Sequence, residues 1–180
     1  MWTKITAFFL AIASLFTSMW YSLKFNCYAR IDIPYGQHER QKVDLYIPHG
    51  VKGDEGLILY IHGGGWSLGS KRESSLKAII GILRRGYALI SVDYRLAPGT
   101  KYPEFLFDVK TAVRWARANA GQYGFDPDRF VVMGDSAGAH LSLMVGFTAD
   151  VPEFEGDKYG WAGISSKVQA VVDLYGPVLL

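Results

Sequence analysis

Gly134-Asp135-Ser136-Ala137-Gly138 is the stretch whose reading decides the fold. It has the form G-x-S-x-G. Residues 129–133, just before it, are β-branched and apolar, as in a short strand, and residues 139–148, just after it, carry a helical period. A serine on a tight turn between strand and helix is held where a substrate can reach it. A Cβ at Gly134 or Gly138 would collide where the helix folds back over the strand, so both positions require glycine. The serine backbone at such a turn is strained, and the helix start behind it directs free N–H groups at an anion. In a chain with 20 Gly among 180 residues the pentapeptide alone is a weak signal. The flanking strand and helix give it weight.

The pattern continues outward from this point. Residues 56–61 and 87–92 are continuous apolar runs, the mark of strands buried on both faces. Between them, residues 74–85 read as a helix stopped by Gly86. Residues 104–122 form a longer helix with Phe105, Val109, Ala112, Val113 and Ala116 on one face, ending near Gly121 and Gly124. Residues 167–174 read as a further strand. Alternating strands and helices predict an α/β protein with a mostly parallel sheet and helices on both faces. Residues 29–33 and 42–47 alternate apolar and polar and read as a hairpin, its strands closed by Pro34 and Pro48. Residues 150–166, with three Gly and mixed charge, read as an irregular excursion.

A second motif, His62-Gly63-Gly64-Gly65-Trp66, follows the first buried strand directly. Three successive glycines cost backbone entropy and point to close approach of a ligand to the main chain. In a parallel sheet the loops leaving the carboxyl ends of the strands line the ligand crevice. Both this loop and Ser136 leave carboxyl ends, so its N–H groups can meet the serine.

Bulk composition narrows the remaining options. A net charge of +2 with no basic stripe argues against nucleic acid as a partner. The single Cys27 allows no internal disulfide. The four His, at 38, 49, 62 and 140, are scattered, without metal-ligand spacing, so no metal or cofactor is implied. Between Lys4 and Lys24 lie nineteen uncharged residues, 5–23, long enough to cross a bilayer as a helix. Residues 1–24 therefore read as a signal-anchor or a signal peptide, ahead of a domain over 29–180. The predicted location is membrane-anchored or secreted/periplasmic. The flanking lysines leave orientation open, and Trp20 and Tyr21 suit an interface.

With these residues in place the chain resembles the α/β-hydrolase family, in particular carboxylesterases of the hormone-sensitive-lipase and acetyl/feruloyl-esterase type. The resemblance rests on Tyr35-Gly36, residues 44–48, the 62–66 motif, residues 93–98, Tyr102-Pro103, residues 126–129, the 134–138 motif and residues 173–177, in the family's order and spacing. It implies Ser136 as nucleophile and an oxyanion hole from the backbone N–H groups of Gly64, Gly65 and Ala137. It implies that His62 braces its loop, that Trp66 packs behind it, and that Asp93 and Arg95 are structural. A small-molecule ester is the implied substrate.

In that family the triad continues with an acid and then a histidine downstream of the serine. No His follows His140 here. The expectation is a hydrolase domain incomplete at its C-terminus, by about two strands, in a family whose sheet takes roughly 200–250 residues. His140, one turn along the helix, is expected to be packed. Asp173 is a strand-end acid or a turn cap, and Asp108 and Asp135 are expected to make structural hydrogen bonds. The fragment is expected to be inactive by itself and to self-associate through its last strand. Two other classes stay open: a non-catalytic interaction module of the same fold at a membrane, and an amidase or formamidase.

Overall fold

The computed structural model describes residues 2–50, 56–156 and 160–178. Residue 1 of the predicted N-terminal segment, 157–159 of the predicted excursion and 179–180 lie outside it. The chain runs α1 (Trp2–Phe25), β1 (Cys27–Pro34), β2 (Lys42–Pro48), β3 (Leu57–Ile61), α2 (Ser74–Ile79), β4 (Ala88–Val92), α3 (Glu104–Ala118), α4 (Ala120–Tyr123), β5 (Phe130–Asp135), α5 (Ala137–Phe147) and β6 (Ala170–Leu174). A 3₁₀ turn over Ile80–Arg85 extends α2 and ends at Gly86 in the left-handed region, φ 90°. The predicted 104–122 helix is interrupted at Asn119.

The six strands lie in the order β1-β2-β4-β3-β5-β6. The hairpin β1–β2 and the β2–β4 pair are antiparallel; β4, β3, β5 and β6 are parallel. The continuous apolar runs are explained by the two cores. Leu57, Leu59 and Ile61 of β3 face a core shared with α3 and α5, whereas Ile58 and Tyr60 face a second core with Leu76, Ile80 and Leu83. A strand covered on both sides needs apolar residues at every position.

The hairpin is less regular than its alternation predicts. The register slips between Arg30 and Ile33, where Asp32 has φ 58° and its N–H donates to Asp44 Oδ1 at 2.8 Å. The predicted 150–166 excursion is tied down by buried charge. Glu155 accepts from Lys110 Nζ at 2.7 Å and from Ser166 Oγ at 2.8 Å, and Arg114 Nη1 donates to the Glu155 carbonyl at 2.7 Å. Lys110 and Arg114 are fully buried on α3.

The N-terminal segment is the one expected to be a signal-anchor or a signal peptide. It is one helix, but among the described residues no helix is long and apolar enough to cross a membrane. Ser14 Oγ donates to the Ile31 carbonyl at 3.4 Å, and Ser22 Oγ accepts from Ala29 N–H at 3.1 Å. Tyr21 packs on Tyr46, ring centroids 5.3 Å apart. The polar stripe of α1 thus lies on the hairpin. Phe9, Leu10, Leu15, Phe16, Met19 and Leu23 point outward, Leu23 being 79% exposed.

Candidate active site

Sheet register builds the site. β3 and β5 run parallel with Ile61 opposite Gly134, so the residues that follow Ile61 lie beside the turn that follows Gly134. The contact is close. A Cβ added to Gly63 would stand 2.6 Å from Asp135 Oδ2, 2.9 Å from the Asp135 carbonyl oxygen and 3.2 Å from Ser136 Cβ. The two predicted motifs are therefore in contact at the carboxyl edge of the sheet.

Ser136 sits at φ 49°, ψ −117°, a strained conformation for a residue with a Cβ, and α5 begins at the next residue. Its N–H donates to the Leu174 carbonyl at 3.0 Å, and its carbonyl accepts from His140 N–H at 3.1 Å. Ser136 is half-buried, and among the described residues its hydroxyl has no hydrogen-bond partner. The predicted collisions are real. A Cβ on Gly134 would strike the Gly138 carbonyl, and one on Gly138 would strike the Ile61 carbonyl, in each case backbone that cannot swing aside.

The glycine loop is shaped by its own turn. Gly64 has φ 102°, and its carbonyl accepts from Ser67 N–H at 3.1 Å and Leu68 N–H at 2.9 Å. A Cβ on Gly64 would strike the Leu68 carbonyl. Gly65 and Trp66 follow at φ 58° and 57°. Among the described residues the amide hydrogens of Gly64, Gly65 and Ala137 have no acceptor. These are the three donors predicted for the oxyanion.

Asp135 joins the two motifs. Its Oδ1 accepts from Gly63 N–H at 3.1 Å and from Tyr60 O–H at 2.5 Å. Local hydrogen bonding was expected of Asp135; that one partner is the oxyanion loop was not, because the two are 72 residues apart in sequence. His62 is fully buried and stacks on Tyr94 at 4.5 Å. Its Nδ1 lies 2.7 Å from the Gly63 carbonyl, while Nε2 is 3.7 Å from Asp93 and unsatisfied. Burial holds its pKa below the ordinary histidine value, so the ring is neutral and braces the loop.

His140 packs edge-on against Trp66, ring centroids 5.3 Å apart, and burial lowers its pKa too. With Tyr102 and Phe105 these two rings line an apolar cleft of about 300 Å³, one helical turn from Ser136. Asp173 is exposed and caps a turn, accepting from Gly176 N–H at 2.7 Å. Asp108 is fully buried and takes Arg95 through Nε at 2.8 Å and Nη2 at 2.6 Å, with Gln41 Nε2 at 2.7 Å.

Sequence reasoning missed one network. Lys71 Nζ bridges Asp32 at 2.9 Å and Asp93 at 2.8 Å, and Arg72 Nε meets buried Asp44 at 2.5 Å. It pins the far end of the glycine loop to β2 and to the end of β4. Its trace in the sequence was Asp44, a carboxylate within a strand otherwise built for burial.

Comparison with known proteins bears on the family and the fold. The BD-FAE family model matches residues 43–180. Esterase LipC of Mycobacterium tuberculosis is 37% identical over 120 residues, 67% of this chain and 29% of that protein. A bifunctional GH43-CE protein of Bacteroides eggerthii superposes with TM-score 0.78 at 29% identity, over 83% of this chain and 21% of that one. The butyrate-bound esterase Est2 of Thermogutta terrifontis gives TM-score 0.71 at 28% identity, over 84% and 55%. The chain spans about a third of the length of the curated relatives it matches.

Proposed function

The chain belongs to the BD-FAE family, with an α/β-hydrolase fold, and from that premise we propose that it carries the nucleophile and oxyanion half of a serine carboxylesterase site. The observation that carries this reading is the meeting of Gly63 with Ser136, which brings free amide hydrogens to a free hydroxyl on a strained turn.

The chemistry follows from those atoms. Ser136 Oγ loses its proton to a general base and attacks the ester carbonyl carbon. The carbonyl oxygen becomes an alkoxide, held by the N–H groups of Gly64, Gly65 and Ala137. One preformed donor of this kind is worth about 10²–10³ in rate. Collapse expels the alcohol, which takes the proton, and leaves Ser136 acylated; water then repeats the sequence on the acyl-enzyme. Neither inner histidine serves as the base, since His62 braces the loop and His140 packs on Trp66. His38 and His49 are exposed in the hairpin connections. Among the described residues no histidine is hydrogen-bonded to the Ser136 hydroxyl as a base.

The test supplies a base from solution. With a short-acyl chromogenic ester and added imidazole, the chain should release alcohol faster than its Ser136→Ala variant. Without imidazole the two should match. Equal rates with imidazole would overturn the assignment of Ser136. Ester, not amide, is the favoured substrate because the relatives are named as esterases, and the competent nucleophile turn argues against a module that only binds. The outward apolar face of α1 supports attachment to a membrane surface through residues 5–23, and the edge position of β6 supports self-association through that strand.

A further inference from the structure

A pocket of about 560 Å³ opens between the end of α1 and the α2 segment, on a part of the molecule the esterase reading does not use. Lys24, Lys77 and Arg84 line it, with His49, and no carboxylate does. All three cations are exposed, and among the described residues none of them has an acidic partner. That sets them apart from Lys71, Arg72, Arg95, Lys110 and Arg114, each of which meets an Asp or Glu. Gly81 in its wall faces open space, where a Cβ would meet nothing within 4 Å. Like charges drawn to one concavity repel unless an anion joins them.

The pocket adjoins the outward face of α1. Lys24 Nζ lies 4.3 Å from the Trp20 ring centroid, and Trp20 stands in the same exposed row as Phe16, Met19 and Leu23. No acidic residue occurs in α1. We propose that the pocket holds the phosphate of an anionic phospholipid while the outer face of α1 lies in the acyl layer of the same leaflet. Guanidinium and ammonium groups are suited to phosphate oxygens. A tryptophan between the cation and the apolar row suits the headgroup boundary. A free phosphate ester would account for the cations but leave the apolar face in water; a lipid satisfies both. The proposal rests on the membrane-surface reading and is independent of Ser136.

The experiment is co-sedimentation of the full chain with phosphatidylcholine vesicles, with and without phosphatidylglycerol. The parent should prefer the anionic vesicles. Each basic residue near such a surface is worth about fivefold in binding, so Lys24→Gln/Lys77→Gln/Arg84→Gln should lose on the order of a hundredfold. The control Lys42→Gln/Lys101→Gln/Arg129→Gln makes the same change in net charge elsewhere and should lose far less. Equal losses in the two variants would mean diffuse attraction and overturn the pocket. Glycerol phosphate binding as tightly as vesicles would overturn the lipid as its source. No binding to either kind of vesicle would overturn the pocket and the membrane-surface reading together. Circular dichroism of both variants keeps misfolding apart from loss of binding.

Discussion

Around Ser136 two backbones pass so closely that almost every residue is dictated, whereas along α1 the side chains sit in an arrangement that no local rule selects. Gly134 and Gly138 each face another segment's carbonyl, and Gly63 faces Asp135 and Ser136. A sequence can announce such a place, because only one residue type fits it. On α1, serines and a tyrosine turn inward onto β1 and β2 while phenylalanines and leucines turn out. An amphipathic helix on a soluble core does the reverse. The difference teaches that steric constraint can be read from one residue, while the choice of a helix face depends on what both sides meet.

The largest expected effect tests the steric half of that contrast. Gly138→Ala should cost about 3 kcal/mol or more, because the new Cβ meets the Ile61 carbonyl and the β3–β5 register would have to open. Urea denaturation reads this directly; a loss under about 1 kcal/mol would show that the elbow has slack.

A smaller effect tests the loop beside it. Burial depresses the pKa of His62, and of His140, below the unfolded value. A histidine with a lowered folded pKa contributes stability that is present above about pH 6.5 and is lost as pH falls from there toward the folded pKa. Stability should therefore decline as pH falls below about 6.5, by at most about 1.4 kcal/mol per pH unit for each histidine. A flat profile over that range would mean that His62 is readily protonated in its loop.

The smallest effects test α1. Ser22→Ala removes the acceptor of Ala29 N–H and should cost about 1 kcal/mol. Leu23→Ser, its neighbour on the outer face, should change stability by less than about 0.5 kcal/mol in water. Thermal unfolding of the two variants in parallel decides it. A larger loss from Leu23→Ser would mean that the helix docks by its apolar face.

Much of the site was legible before the structure. The strand–elbow–helix unit and the glycine loop follow from residues that backbone geometry forces, and the bracing role of His62 was implied by the family resemblance. Asp173 as a turn cap and Asp108 as a buried anchor were within the range expected. The link from Asp135 to Gly63, the Lys71 and Arg72 network and the pinning of residues 150–166 by Glu155 were not. Each joins charged or polar groups from distant parts of the chain, and a lone Asp or Lys does not name its partner.

By itself the sequence determined the alternation of strands and helices, because periodicity and glycine punctuation are local, and it marked Gly134 and Gly138 as irreplaceable, because at a tight strand-to-helix turn a Cβ would strike the neighbouring backbone. Only the tertiary structure decided which stripe of α1 faces the sheet and which carboxylate meets which cation. Those outcomes are differences between competing contacts, and the competition exists only once the sheet has brought its distant partners together.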